Sequence, residues 1–413
     1  MTQSDTDLLF SPYRALDLTD EKGLLCGRIL ADLGADVIKV ERPGGDSARN
    51  IGPFYNDIPD PEKSLFWFAY NTNKRGITLN IESLDGQDIF KKLLKTADFV
   101  IESFDPSYMD SLGLGYSALS EINPRVIMAS ITPYGQTGPY RNYKACDLTL
   151  QASGGLMYGS GDPDRPPVRI SFPQAYFHAS VHAASATLIA HHLTQITGEG
   201  QHVDVSAQES TWLCIALESY FWPLLQYIQK RGGGVVRRGA NYFREVWICK
   251  DGEVNFRFLG GAYGRALNNL VTWMEEEGMA GDLAGINYET LDIYKITQEE
   301  VDHLEKMIGD FFAGKTKAEL QQGAIERHIY LQASNTPEDI VKDEQLASRD
   351  FWASIEHPEL DVTLTYPGLP FRLSETHPIK RAPLIGEHNI EVYKEELGLS
   401  AEKICALKQA NII

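Results

Sequence analysis

Apolar and polar positions in the first half of the chain switch period repeatedly. Residues 13–18 read as a short strand, and 23–33 repeat their apolar side chains at helical spacing until Gly34 stops the pattern. Strand patterns recur at 36–41, 77–80, 99–101 and 126–131, with helical stretches at 86–97 and 119–123 between them. Short apolar runs alternating with amphipathic helices predict a parallel sheet covered on both faces, an α/β domain of the Rossmann-like, doubly wound kind. A long helix is predicted over 174–197, ending at Gly198, and a very apolar helix over 212–228, bent at Pro223 and buried or used as an interface. The Gly-rich segment at 231–234 marks a boundary. Beyond it, strands at 244–249 and 253–258 and helices at 262–276, 298–313 and 316–322 describe a smaller α+β unit, with Gly323 as the last helix's stop. Residues 336–385 are dotted with proline and read as extended, and short helices at 387–397 and 401–410 close the chain. The resulting division is a large domain (1–210), a linker helix (211–234), a small α+β domain (235–335) and a return segment with C-terminal helices packing on the large domain (336–413).

Composition narrows the function. In 413 residues, 43% are hydrophobic and 23% charged, which suits a globular chain and excludes a disordered or disulfide-knotted one. Against 38 Lys and Arg stand 57 Asp and Glu, a net charge of −19 that repels phosphate backbones, so no nucleic-acid partner is expected. The five cysteines (Cys26, Cys146, Cys214, Cys249, Cys405) show no C-x-x-C spacing, the N-terminal residues lack a basic leader, and the 212–228 stretch is interrupted by Glu218 and Pro223. A reduced, cytoplasmic protein without a membrane partner is the expectation.

The common catalytic fingerprints are missing. No G-x-G-x-x-G follows the first strand, and there is no Walker loop or G-x-S-x-G elbow. His178 and His182 share a helix face, but Ala179 stands where a zinc protease needs its glutamate, so no metal site is expected. His191 and His192, at the end of the same helix, read as capping or solvated residues. The loop 159–167 (GSGDPDRPP) reads as turns.

Several stretches, in one order, resemble the family III CoA-transferases, the group of formyl-CoA transferase, carnitine CoA-transferase and α-methylacyl-CoA racemase. They are ALDLT at 15–19, LADLGADVIKVERP at 30–43, GDSAR at 45–49, NKRGITLN at 73–80, LGLGY at 112–116, NPRVI at 123–127, GQTGP at 135–139 and GEGQHVDVS at 198–206. The second half matches more loosely, through Arg238-Gly239-Ala240-Asn241 and Asp251-Gly252. The resemblance implies a Rossmann-like large domain, a small domain and two subunits interlocked like chain links. It implies transfer of CoA between carboxylic acids through an enzyme aspartate, by a mixed anhydride and an aspartyl-CoA thioester, with CoA thioesters as substrates and no further cofactor.

The same resemblance exposes a gap. The family's aspartate follows a P-V-x-x-x-x-P-x-x pattern; here Pro167, Val168 and Pro173 lead to Tyr176. A phenol has no acyl carbon to hold CoA, and with a pKa near ~10 it is almost wholly protonated at neutral pH. No Asp or Glu lies between Arg169 and Thr197, so a displaced carboxylate would have to be Asp147, Asp162, Asp164 or Glu209. Arg42, Leu79 and Lys144 match the family's CoA-contacting positions, but Glu82, Ser103 and Ser111 stand where a basic residue, an Asn and an Arg are expected. Charge-assisted contacts are worth ~1.5–3 kcal/mol each, so these changes weaken CoA binding. Cys146 replaces the histidine of the family's racemases. The pattern is similar to the two-subunit benzylsuccinate CoA-transferases, in which one subunit supplies the aspartate and its paralogue lacks it. The expectation is therefore a non-catalytic subunit whose partner is a homologous, aspartate-bearing chain. A self-sufficient transferase with a relocated carboxylate, or a non-enzymatic acyl-CoA-binding protein, stays open.

Overall fold

The computed structural model describes residues 9–372 and 378–413. It forms two compact units, one from residues up to Met157 with Arg169–Gln226 and Leu346–Ile413, the other from Tyr158–Val168 and Tyr227–Gln345.

The first unit is built on six parallel strands: β1 (Arg14–Leu18), β2 (Asp36–Glu41), β3 (Arg75–Thr78), β4 (Phe99–Glu102), β5 (Ile127–Thr132) and β6 (His202–Ser206). Their order across the sheet is β3-β2-β1-β4-β5-β6. The chain therefore winds outward in both directions from the β1–β4 pair, which is the α/β, Rossmann-like class expected. Side chains alternate between two cores. Leu16, Ile38 and Val100 point to the layer of α2 (Leu84–Leu94) and α3 (Tyr116–Ile122), completed by Tyr393, Ile404 and Leu407 of the C-terminal segment. Ala15, Val37 and Ile101 point to the layer of α1 (Leu24–Asp32) and α4 (Ala175–Thr197), where Cys26, Leu30, Ala179 and Ala183 meet.

Under the sheet's carboxyl edge lies a buried charge network. Lys74 Nζ donates to Asp17 Oδ2 (2.7 Å), Leu24 O (2.8 Å) and Asn71 Oδ1 (2.9 Å), so its three protons are all used. Asp17 Oδ1 accepts from the Thr19 amide and hydroxyl (3.0 and 2.6 Å). Neither charged side chain reaches solvent. Gly27 of α1 makes room for the pair, since a Cβ there would sit 2.1 Å from Asp17 Oδ2.

The second unit holds a three-stranded antiparallel sheet (Val246–Cys249, Gly252–Phe256, Leu331–Ala333), a strand pair (Val235–Arg238, Asn241–Arg244) and helices Gly264–Glu276, Gln298–Ala313 and Lys317–Arg327. Its core is aromatic, with Trp247, Phe256, Phe258, Trp273, Phe311 and Phe312.

Three expectations need correction. The helix predicted to stop at Gly323 runs on to Arg327 and ends at His328, which is left-handed (φ 55°). Gly323 is there because a Cβ would lie 2.2 Å from the Trp273 ring, so it serves close packing, not termination. The apolar stretch 212–228 is not one buried helix. Ala207–Trp212 ends in a tight turn, Glu218–Leu225 follows, and none of the latter's residues is buried. The 336–385 stretch is not simply extended: it contains helices Pro337–Val341 and Glu344–Ser348 and a hairpin of Trp352–His357 with Val362–Pro367. No helix among the described residues is long and apolar enough to cross a membrane.

Removing one partner of the buried pair tests how far the unit depends on it. Lys74→Met strands the Asp17 carboxylate, and chemical denaturation should show a loss of about 3–5 kcal/mol. A loss below about 1 kcal/mol would mean the network is not a stability determinant.

Candidate functional site

In a sheet wound this way, ligands sit outside the carboxyl ends of the two strands from which the chain diverges. Here those ends carry Thr19, Asp20, Glu21 and Lys22 after β1 and Ser103 and Phe104 after β4. Ser103 takes the place of the expected Asn, and its hydroxyl is spent internally. It accepts from the Asp20 amide (2.9 Å) and donates to Asp20 Oδ1 (2.7 Å), while Lys22 pairs with the other oxygen (2.7 Å). Glu102, the last residue of β4, is buried and accepts from the Phe104 amide (2.7 Å). Burial pushes its carboxyl up to about 7, against the pull of hydrogen bonds from Ser130 and Phe104.

Tyr176, which the resemblance puts at the nucleophile position, lies in the first turn of α4. Its ring is buried and its hydroxyl donates to the Ala145 carbonyl (3.3 Å). Burial first, and then the negative fields of Asp20, Glu21, Cys146 and Asp147, hold the phenol well above its ordinary value. It is therefore a neutral group at physiological pH, neither an acyl acceptor nor a ready nucleophile.

Asp147 Oδ1 accepts the α4 amides of Gln174 (2.7 Å) and Ala175 (2.9 Å), and Oδ2 accepts from Gln151 Nε2 (2.6 Å). Gln151, fully buried, in turn accepts from the Ile170 amide (3.0 Å). Asp147 is thus the cap of the helix that carries Tyr176, a charge at the positive end of the dipole. Asp162 and Asp164 belong to the second unit, where Asp162 approaches Arg165 (3.9 Å). Glu209 sits in the first turn of the Ala207–Trp212 helix, where the Ser206 hydroxyl caps its amide (3.3 Å). The carboxylates whose fields reach Tyr176 include two that sequence reasoning missed, Asp20 and Glu21. Glu21 is half-buried, and burial together with Asp20 raises its carboxyl. Only their place just after β1, at the winding reversal, could have flagged them.

Arg42 and Leu79 are brought together at a small cleft beyond the ends of β1, β2 and β3, with Leu18, Val40, Glu82 and Phe104. Leu79 is buried, while Arg42 is exposed and lies 3.9 Å from Glu82, which also accepts from the Tyr108 hydroxyl (2.7 Å). Lys144 forms an exposed ion pair with Asp105, the residue after Phe104. Each cation expected to meet CoA is thus answered by a carboxylate. Tyr176 does not line that cleft. Among the described residues no three His, Cys, Asp or Glu side chains gather as a metal site requires. His191 proves to be a core aromatic, not a solvated cap, packed on Tyr13 (4.3 Å between centroids) and Phe99 (5.3 Å) because α4 turns it toward the sheet.

Comparison with known proteins places this fold. The family model described as CoA-transferase family III matches residues 14–389. The chain is 34% identical over 393 residues to the "Succinyl-CoA:(R)-benzylsuccinate CoA-transferase subunit BbsE" of Thauera aromatica, covering 94% of each chain. It is 30% identical to the "Succinyl-CoA--L-malate CoA-transferase beta subunit" of Chloroflexus aurantiacus, covering 100% of both. Among solved structures, a CAIB/BAIF family protein from Brucella suis superposes with a TM-score of 0.80 at 25% identity, over 94% of this chain and 99% of that one. The chain belongs to CoA-transferase family III. Its class of activity is the transfer of CoA between acyl groups, on acyl-CoA and carboxylate substrates.

Glu102 gives a pH test. Its folded carboxyl titrates near 7 and an unfolded one near 4.5, so the folded state holds the extra proton between those values. Stability must then fall as pH rises through that window, by on the order of 3 kcal/mol. Glu102→Gln removes the titration, so urea unfolding from pH 4.5 to 8 should show the variant gaining on the parent by that amount. A difference independent of pH would contradict the assignment.

Proposed function

We propose that this chain is the non-catalytic subunit of a heteromeric family III CoA-transferase that moves CoA from succinyl-CoA to an aryl-succinate such as (R)-benzylsuccinate. The observation that carries this reading is Tyr176: a buried, neutral phenol at the nucleophile position, on a helix whose capping carboxylate is fully engaged. The aspartate is then supplied by a homologous partner subunit. There the carboxylate attacks succinyl-CoA, expelling CoA thiolate and forming a mixed anhydride. The thiolate attacks the enzyme's acyl carbon, releasing succinate and leaving an aspartyl-CoA thioester. The acceptor carboxylate displaces CoA to form a second anhydride, and the thiolate attacks the acceptor's carbonyl, so the aspartate is regenerated.

On this reading Arg42, Leu79 and Lys144 mark a CoA site that Glu82 and Asp105 have weakened. The succinyl and benzylsuccinyl substrates are supported by the printed activity of the Thauera relative, and the subunit role by both relatives being named as subunits. Trp222, Leu224 and Leu225 are each more than half exposed, and such a surface suits burial against a partner. Free thiols throughout fit a reducing, cytoplasmic setting. A second reading, a self-sufficient transferase, is favoured by one observation, the half-buried Glu21 whose field reaches Tyr176. It requires that Glu21→Gln abolish an activity of the chain alone.

Co-expression with an aspartate-bearing homologue tests the subunit reading. Succinyl-CoA-dependent CoA transfer should require both chains, fall by about 10⁴-fold or more when the partner's aspartate becomes alanine, and persist in Tyr176→Phe. Full activity in the isolated chain, or loss of activity in Tyr176→Phe with the complex intact, would contradict it.

A further inference from the structure

The second unit contains a cavity of about 610 Å³ whose lining includes none of Arg42, Leu79, Lys144 and Tyr176. That volume falls in the range of small-molecule pockets, ~300–1,000 Å³. Arg238 and Arg257 stand in its wall, with Leu259, Leu291 and Ile293 as apolar lining and Tyr263 and Tyr294 at the exposed edge. Gly260 lets the 290–294 segment pack close, and Gly261 keeps another side open. A Cβ at Gly260 would lie 2.3 Å from Leu291 O, whereas one at Gly261 would meet nothing within 4 Å. Gly239, in the turn after Arg238, lets the Tyr294 ring approach to 3.0 Å of where its Cβ would be.

The charges do not balance within the pocket. Arg257 Nε and Arg238 Nη2 both lean on one carboxylate oxygen of Glu245, at 2.9 and 3.8 Å. The Arg238 Nε and the Glu245 Oε1 are both buried, and neither makes a hydrogen bond. Two guanidinium groups thus share a single carboxylate oxygen with which neither is aligned for a hydrogen bond, and the Arg238 fork stays open to a further acceptor. The acid in the lining itself, Asp292, is already met by Lys295 (3.1 Å) and by the Tyr294 amide (3.1 Å).

We propose that this cavity binds a small organic acid with an aromatic or alkyl body. Its carboxylate takes the free valence of Arg238 and Arg257, and its body lies on Leu259 and Ile293 between the two tyrosine rings. Arg fits this task because its planar fork accommodates a carboxylate that must share the site with Glu245. The inference goes beyond the subunit assignment and does not rest on it, since it concerns binding by this chain in the absence of turnover.

Isothermal titration calorimetry on the full chain alone, with 3-phenylpropanoate as the probe, tests it. One saturable site is expected, weakened about tenfold or more for propanoate, which lacks the ring, and for 3-phenylpropan-1-ol, which lacks the charge. Arg238→Gln and, separately, the more exposed Arg257→Gln should each weaken 3-phenylpropanoate by a similar factor, with circular dichroism reporting that the fold is kept. No saturable binding, or binding unchanged in Arg257→Gln and in a folded Arg238→Gln, would overturn the proposal.

Discussion

The carboxylate of Asp147 ties two distant parts of the first unit together. By accepting the amides of Gln174 and Ala175 it fixes where the long α4 helix begins, and so fixes Tyr176 one residue later. Its second oxygen holds Gln151, which secures the approach segment through Ile170. The same bonds remove Asp147 from chemistry. A carboxylate with two amide donors and a side-chain donor is poor as a nucleophile, because attack would require giving those bonds up. One interaction thus both positions Tyr176 and, on the proposed reading, withholds the nearest carboxylate from chemistry.

Charge is handled differently inside and outside the unit. Inside, Lys74, Lys39 and Arg49 are matched by Asp17, Asp46, Glu41 and Glu62 with short, multiply bonded contacts, and the sheet is built around them. At the surface, Arg42 and Lys144, the cations proposed to meet CoA, are offset by Glu82 and Asp105. Exposed pairs of this kind contribute little to stability, ~0–1 kcal/mol, so the acids there do not serve the fold. Their effect is to cancel an attractive field, which is the electrostatic counterpart of the phenol at position 176.

Much of the sheet was legible because its inner strands are apolar on both faces. Asp36–Glu41 and Phe99–Glu102 read as strands from the run of Val, Ile and Phe alone. The sixth strand was missed as a strand because it lies at the sheet's edge and leaves His202 and Asp204 exposed. Arg75 and Gly76 were missed at the start of β3 since neither is apolar; their place comes from pairing with Ile38 and Lys39. At the site, Tyr176 could be read from the spacing of Pro167, Val168 and Pro173. The Asp147 cap could not, being 27 and 28 residues from its partners. Nor could the Arg42–Glu82 pair, set by the β2–β3 neighbourhood, or the reach of Asp20 and Glu21, set by their place at the winding reversal.

On the proposed subunit reading, this chain has no acyl carbon placed to hold CoA. Intact-mass analysis of the purified chain, incubated alone with succinyl-CoA and quenched with or without hydroxylamine, addresses it directly. The account predicts an unchanged mass under both conditions. A CoA-sized adduct, labile to hydroxylamine and mapped to an Asp or Glu of this chain, would contradict it.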